Sequence, residues 1–129
     1  MQATHQENQI VKYLMIIKHA ESYRSQPIPQ GLRDAMGEFV AAGFKSGVLK
    51  DTAGLKATKE GFRIRSSGGK LTVTDGPFTE AKEIIGGYAL IEAKSKEEAL
   101  RNARQFMDLH RVHWPAFEAE CEVRPLEDQ

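Results

Sequence analysis

Apolar and polar positions follow different periods along this chain, and the changes of period mark out its elements. Val11-Lys12-Tyr13-Leu14-Met15-Ile16-Ile17 is almost continuously apolar and rich in strand formers, which predicts a first strand inside a sheet and covered on both faces. Lys18 to Gln30 is polar and holds Pro27 and Pro29, a loop leading into a helix. From Gly31 onward Leu32, Met36, Phe39, Val40 and Gly43 recur at helical spacing, with Gly43 as the expected stop. Phe44 to Leu55 reads as a second strand loosened by Gly47 and Gly54.

Phe62 and Ile64 then alternate with Arg63 and Arg65, and Leu71 and Val73 resume the alternation after Ser66-Ser67-Gly68-Gly69, which predicts a hairpin with one wet face. Thr79 to Glu83 is long enough for a turn only, and Ile84 to Ala93 forms the next strand. Ser95 and Glu98 have the spacing of a capping box and open a second helix. Its stripe runs through Ala99, Leu100, Ala103, Phe106 and Met107 to His110, and it should stop before Trp114-Pro115. Ala119, Cys121 and Val123 alternate with Glu120, Glu122 and Arg124 in a closing strand before Pro125.

This order of elements fits a ferredoxin-like α+β sandwich with an inserted β-hairpin better than a doubly wound sheet. Both helices then lie on one side of the sheet, so the other side needs a cover. The Ile84 to Ala93 strand places Tyr88 and Leu90 on one face and Ala89 and Ile91 on the other, and a homodimer through the open face is the expected solution.

A chain of 129 residues makes one domain that buries a core without staples; the expected division is a disordered segment over residues 1–9 and a single domain over 10–129. Eighteen basic residues balance eighteen acidic ones, so no global field draws the chain to nucleic acid or an anionic membrane. The lone Cys121 excludes an internal disulfide, and no apolar run approaches the ~20 residues of a membrane span. Residues 1–9 lack the pattern of a secretory signal, and the expected location is the cytoplasm.

The most informative segment for chemistry is Asp75-Gly76-Pro77-Phe78, which sets a carboxylate where a strand ends. Asp75 either accepts hydrogen bonds from turn amides or faces a pocket as general base. Thr74, Thr79 and Lys82 surround it as candidate ligand-binding residues. His19, just beyond the first strand, is either a solvated loop residue or the partner that Asp75 orients for proton abstraction. His110 and His113 have a spacing that lets two rings share a helix face, but a metal needs more ligands, and His110 reads better as a satisfied interface histidine. Cys121 reads as core. Gly68-Gly69 and Gly86-Gly87 lack the context of a phosphate loop, so neither cofactor nor metal is expected.

Leu71 to Glu83 with Gly86-Gly87-Tyr88 resembles the DGPF branch of the YCII-related family. Lys12-Tyr13-Leu14-Met15, Ser95-Lys96-Glu97-Glu98-Ala99 and Glu122-Val123-Arg124-Pro125 extend that resemblance over most of the chain. It implies a dimeric α/β barrel, a bacterial source, an enzymatic role resting on a His and an Asp, and, through relatives joined to sigma factors, a link to transcription initiation. The family His near the start of the first helix has no counterpart in Pro29-Gln30-Gly31-Leu32. The resemblance therefore implies a small-molecule enzyme of the proton-transfer, isomerase or lyase type using Asp75, or alternatively a sigma-factor-associated regulatory or ligand-binding module.

Overall fold

The computed structural model describes residues 9–127, so the segment expected to be disordered lies, Gln9 excepted, outside the described residues. The strands are β1 (Val11–His19), β2 (Leu49–Gly54), β3 (Phe62–Ser67), β4 (Lys70–Asp75), β5 (Ile84–Ala93) and β6 (Ala119–Pro125), and the helices are α1 (Gln30–Ser46) and α2 (Lys96–His113). Short 3-10 turns follow β1 at Glu21–Ser25 and precede β3 at Thr58–Glu60.

The main sheet has four antiparallel strands in the order β2-β5-β1-β6, and β3 and β4 form a separate two-stranded hairpin. With the hairpin set aside, this is the ferredoxin-like α+β arrangement that the alternation of elements predicts. Both central strands, β1 and β5, are the most apolar.

The core lies between the sheet and the helices. Met15, Leu49, Ile91 and Ala93 from the strands pack with Ala99 and Ala103 of α2. Successive strand residues point to opposite faces, so Leu14 and Ile16 leave the helix side. Opposite them stand Leu90 and Tyr88 on β5, and Arg124 and Glu122 on β6. Among the described residues no helix covers this second face.

Three expectations are corrected, and the first is the strand expected over Phe44 to Leu55, which begins only at Leu49 because Phe44 to Ser46 belong to α1. α1 runs through Gly43 to Ser46, and the stop is Gly47, whose φ of 85° is the left-handed conformation a helix end uses. Gly43 is instead a place of close approach, since a Cβ there would lie 2.9 Å from the Leu49 Cβ. The hairpin was expected to have one wet face, whereas both faces are exposed in the single chain because no other described element packs on it. Gly68 and Gly69, with φ of 58° and 78°, make its turn.

Candidate functional site

The expected solvated loop histidine is a strand residue. His19 ends β1, pairs with Ile84 on one side and Ala119 on the other, and is only 6% exposed. Its Nδ1 lies 2.8 Å from the Ala20 carbonyl oxygen. A carbonyl only accepts, so Nδ1 carries a proton, and of the two neutral tautomers the one with its lone pair on Nε2 fits this contact.

His19 lines a cavity of about 230 Å³ between the sheet and the two helices. β1 contributes Met15 and Ile17 to its wall, β2 Thr52, α1 Leu32 and Met36, and α2 Phe106 and His110. Ile17 stands opposite Gly87 on β5, where the missing side chain leaves room in the floor. A Cβ on Gly87 would also come within 2.9 Å of the Ala53 carbonyl, so strand pairing requires the glycine as well.

Aromatic rings close one end. Phe117 lies 5.3 Å from the His19 ring, 5.7 Å from that of His110 and 4.7 Å from both Tyr23 and Trp114, measured between centroids. The Tyr23 hydroxyl donates to the Ala116 carbonyl and accepts from the Glu118 amide, which pins the segment after α2 to the turn after β1. His110 donates through Nδ1 to the Phe106 carbonyl at 3.0 Å. Burial holds its pKa below the usual imidazole range, partly offset by that hydrogen bond, so the ring is neutral at neutral pH. No Asp, Glu, Lys or Arg lines the cavity among the described residues.

Asp75 lies elsewhere. It ends β4 opposite Phe62, is exposed, and its carboxylate takes part in no hydrogen bond or ion pair among the described residues. It is absent from the wall around His19. Its neighbours carry the turn instead: the Gly76 amide donates to the Gly61 carbonyl, and the Phe78 amide to the Thr58 hydroxyl at 3.1 Å. The Thr58 amide and hydroxyl both donate to the Glu21 carboxylate, in the turn directly after β1. Thus the Asp-Gly-Pro-Phe loop is tied, through Thr58, to the segment that follows His19, although the two candidate residues share no cavity wall. Thr74, Thr79 and Lys82 are exposed and also lie outside that wall.

His110 and His113 part company. His110 is half-buried in the cavity wall, and His113 is exposed and lies against Gly31 of α1. Among the described residues no group of three or more His, Cys, Asp or Glu side chains is placed to hold a metal ion. Cys121 packs against the core, and burial pushes its thiol up to about 11, which leaves little thiolate at neutral pH.

The rings missed by local patterns are Tyr23, Trp114 and Phe117. Their one signal was Trp114 and Phe117 standing three residues apart after the second helix, since Tyr23 is the one aromatic in residues 20–30. The model of the YCII-related domain matches residues 11–106, which include β1, the Asp-Gly-Pro-Phe loop and the first half of α2. The chain belongs to the YCII-related family. It is also 38% identical over 82 residues to an uncharacterised protein of Rhizobium meliloti (strain 1021), a match that covers 64% of this chain. The chain spans 62% of the length of that relative. Trp114 and Phe117 lie beyond the family match, so part of this YCII-related protein's cavity wall stands outside the segment the family model describes. Among the described residues no helix is long and apolar enough to cross a membrane.

Proposed function

We propose that this YCII-related protein is a homodimeric, cofactor-independent enzyme that moves a proton on an uncharged, largely apolar small molecule, with His19 as the acid–base group. One observation carries the proposal: a buried imidazole, its Nδ1 engaged by a backbone carbonyl, lines a cavity with no charged side chain among the described residues. A fixed tautomer in a dry wall is what a general base needs, because Nε2 is then the one ring nitrogen left to a substrate. A charged substrate would lose its hydration there without a counter-charge. Asp75 fits this role less well than the resemblance implies, because its carboxylate is solvated and outside the cavity wall. Asp75-Gly76-Pro77-Phe78 supports assignment to the DGPF branch of the family. The open, partly apolar face of the sheet supports the dimer.

Exchange of carbon-bound protons for solvent deuterium, followed by NMR across a panel of small uncharged ketones and phenols, tests the chemistry before the reaction is known. Wild type should accelerate exchange of at least one compound, His19→Gln should lose about 100-fold or more, and Asp75→Asn should keep most of the rate. If Asp75→Asn abolishes exchange and His19→Gln leaves it intact, the base is Asp75 instead. A panel with no accelerated exchange rejects proton transfer.

A further inference from the structure

A second cavity abuts the one lined by His19. It measures about 310 Å³ and lies under the C-terminal half of α1, with Phe39, Val40 and Ser46 on one side and Asn102 and Gln105 of α2 on the other. The two cavities share Met15, Thr52, Ala89 and Phe106. Strand register accounts for the overlap: Met15 and Thr52 both stand opposite Ala89, so the three make one row across the sheet, and Phe106 faces it from α2. On β5 the first cavity adds Gly87 and the second Ile91, a run of strand about 13 Å long. Together they form a trough along β5. Phe106 is its waist, with its ring centroid 4.8 Å from that of His110 in the first compartment and 6.1 Å from that of Phe39 in the second.

This space does not come from a helix standing off the sheet, because α1 is held at both ends. At its start Leu32 is buried, and a Cβ on Gly31 would lie 3.1 Å from the His113 Nδ1. Near its end a Cβ on Gly43 would lie 2.9 Å from the Leu49 Cβ. Met36, Phe39 and Val40 contribute to the walls from between these anchors.

The walls define the ligand. Among the described residues no Asp, Glu, Lys or Arg lines either compartment, so a charged group would lose its hydration without a counter-charge. At the far end Asn102 and Gln105, three apart on one face of α2, have carboxamides without a hydrogen-bond partner among the described residues. The Ser46 hydroxyl beside them is already engaged, donating to the Gly43 carbonyl and accepting from the Val48 amide. We propose that the two cavities are one binding site for a chain-like carbonyl compound. Its carbonyl lies at His19, its apolar chain passes Phe106, and an uncharged hydrogen-bonding group at its far end meets Asn102 and Gln105. The proposal rests on the proton-transfer reading above and gives that reaction a substrate class.

The test uses the full chain and straight-chain methyl ketones from 2-butanone to 2-dodecanone. Calorimetric titration gives the dissociation constants, and NMR follows deuterium exchange beside the carbonyl in the same samples. In wild type, affinity should rise about fourfold per added methylene, the value of one buried CH2, until the trough is full. Ala42→Leu fills the second compartment from an exposed helix position and should end the rise at a shorter chain, with circular dichroism as the fold control. Independently, the penalty for a terminal hydroxyl on 2-dodecanone should be about tenfold greater in Asn102→Leu than in wild type. A wild-type series without a slope overturns the joined site, as does a rise that stops at the same chain length in folded Ala42→Leu. Rising affinity with no exchange in any member upholds the site and rejects proton transfer. Exchange with affinities that ignore chain length does the reverse.

Discussion

Gly76 stands where no side chain fits, since a Cβ there would lie 1.7 Å from the Thr58 carbonyl oxygen, which is backbone and cannot swing aside. Gly76→Ala must displace the turn before β3 or the loop after β4, and should cost about 1–3 kcal/mol in denaturant unfolding. Asp75→Asn, one position earlier, removes a solvated charge with no bonded partner among the described residues and should change stability by less than ~0.5 kcal/mol. The pair separates a loop built on its glycine from one built on its acid; equal losses would reject this division. At His110 the sign of a pH effect follows from burial, which lowers its folded pKa. As pH falls through about 6.5, the unfolded chain takes up a proton that the folded ring resists. Its contribution is therefore fully present above that range and is lost below it, until the folded ring protonates too. Thermal midpoints between pH 7.5 and 5.5 should fall less in His110→Gln than in wild type, and equal falls would reject a part for this imidazole.

Elements whose signals are local are legible in the chain, and those set by a distant contact are not. The Ser95 side chain accepts from the Glu98 amide at 3.1 Å, the amide half of the capping box that the spacing predicts. Ser95→Ala should lower stability by about 1 kcal/mol in thermal or denaturant unfolding, and no change would mean that the cap contributes nothing to α2. β5 was legible to its ends because its alternation is bounded by turn residues and by that same cap. The end of α1 was misread because Gly43 and Gly47 are identical in sequence terms: one is small for the sake of Leu49, the other for its left-handed backbone. His19 was misread for a related reason. A polar Lys-His pair after an apolar run resembles a loop, and only pairing with Ile84 and Ala119 shows it to be strand, with its ring under Phe117. The cavity wall draws on β1, both loops and both helices, so no local window held more than part of it.

At the scale of the whole molecule, the unmet demand is the second face of the sheet. Leu14, Ile16 and Leu90 occupy its middle, half-buried in the single chain. At one end Lys18 holds Glu120 and Glu122 at 2.9 Å each, and those contacts, Glu122 first, raise its pKa above the ordinary lysine range. Toward β2, the Tyr88 hydroxyl donates to Asp51 at 2.9 Å, and Lys50 pairs with Glu92. Charges satisfied within one chain around an apolar middle suit a self-complementary contact, because neither copy must supply the other's counter-ions there. Leu14→Asp tests the face without touching the core, since Leu14 points away from the helices that Met15 packs against. A two-fold contact would bury two unpartnered carboxylates, and a penalty of about 4 kcal/mol corresponds to a dissociation constant raised ~10³-fold. The expected outcome is a one-chain mass at micromolar concentration with helical circular dichroism retained. The same variant in the exchange assay decides whether the cavity works alone: a rate that survives dissociation confines the chemistry to one chain, and a rate that vanishes with the dimer places part of the machinery across the boundary.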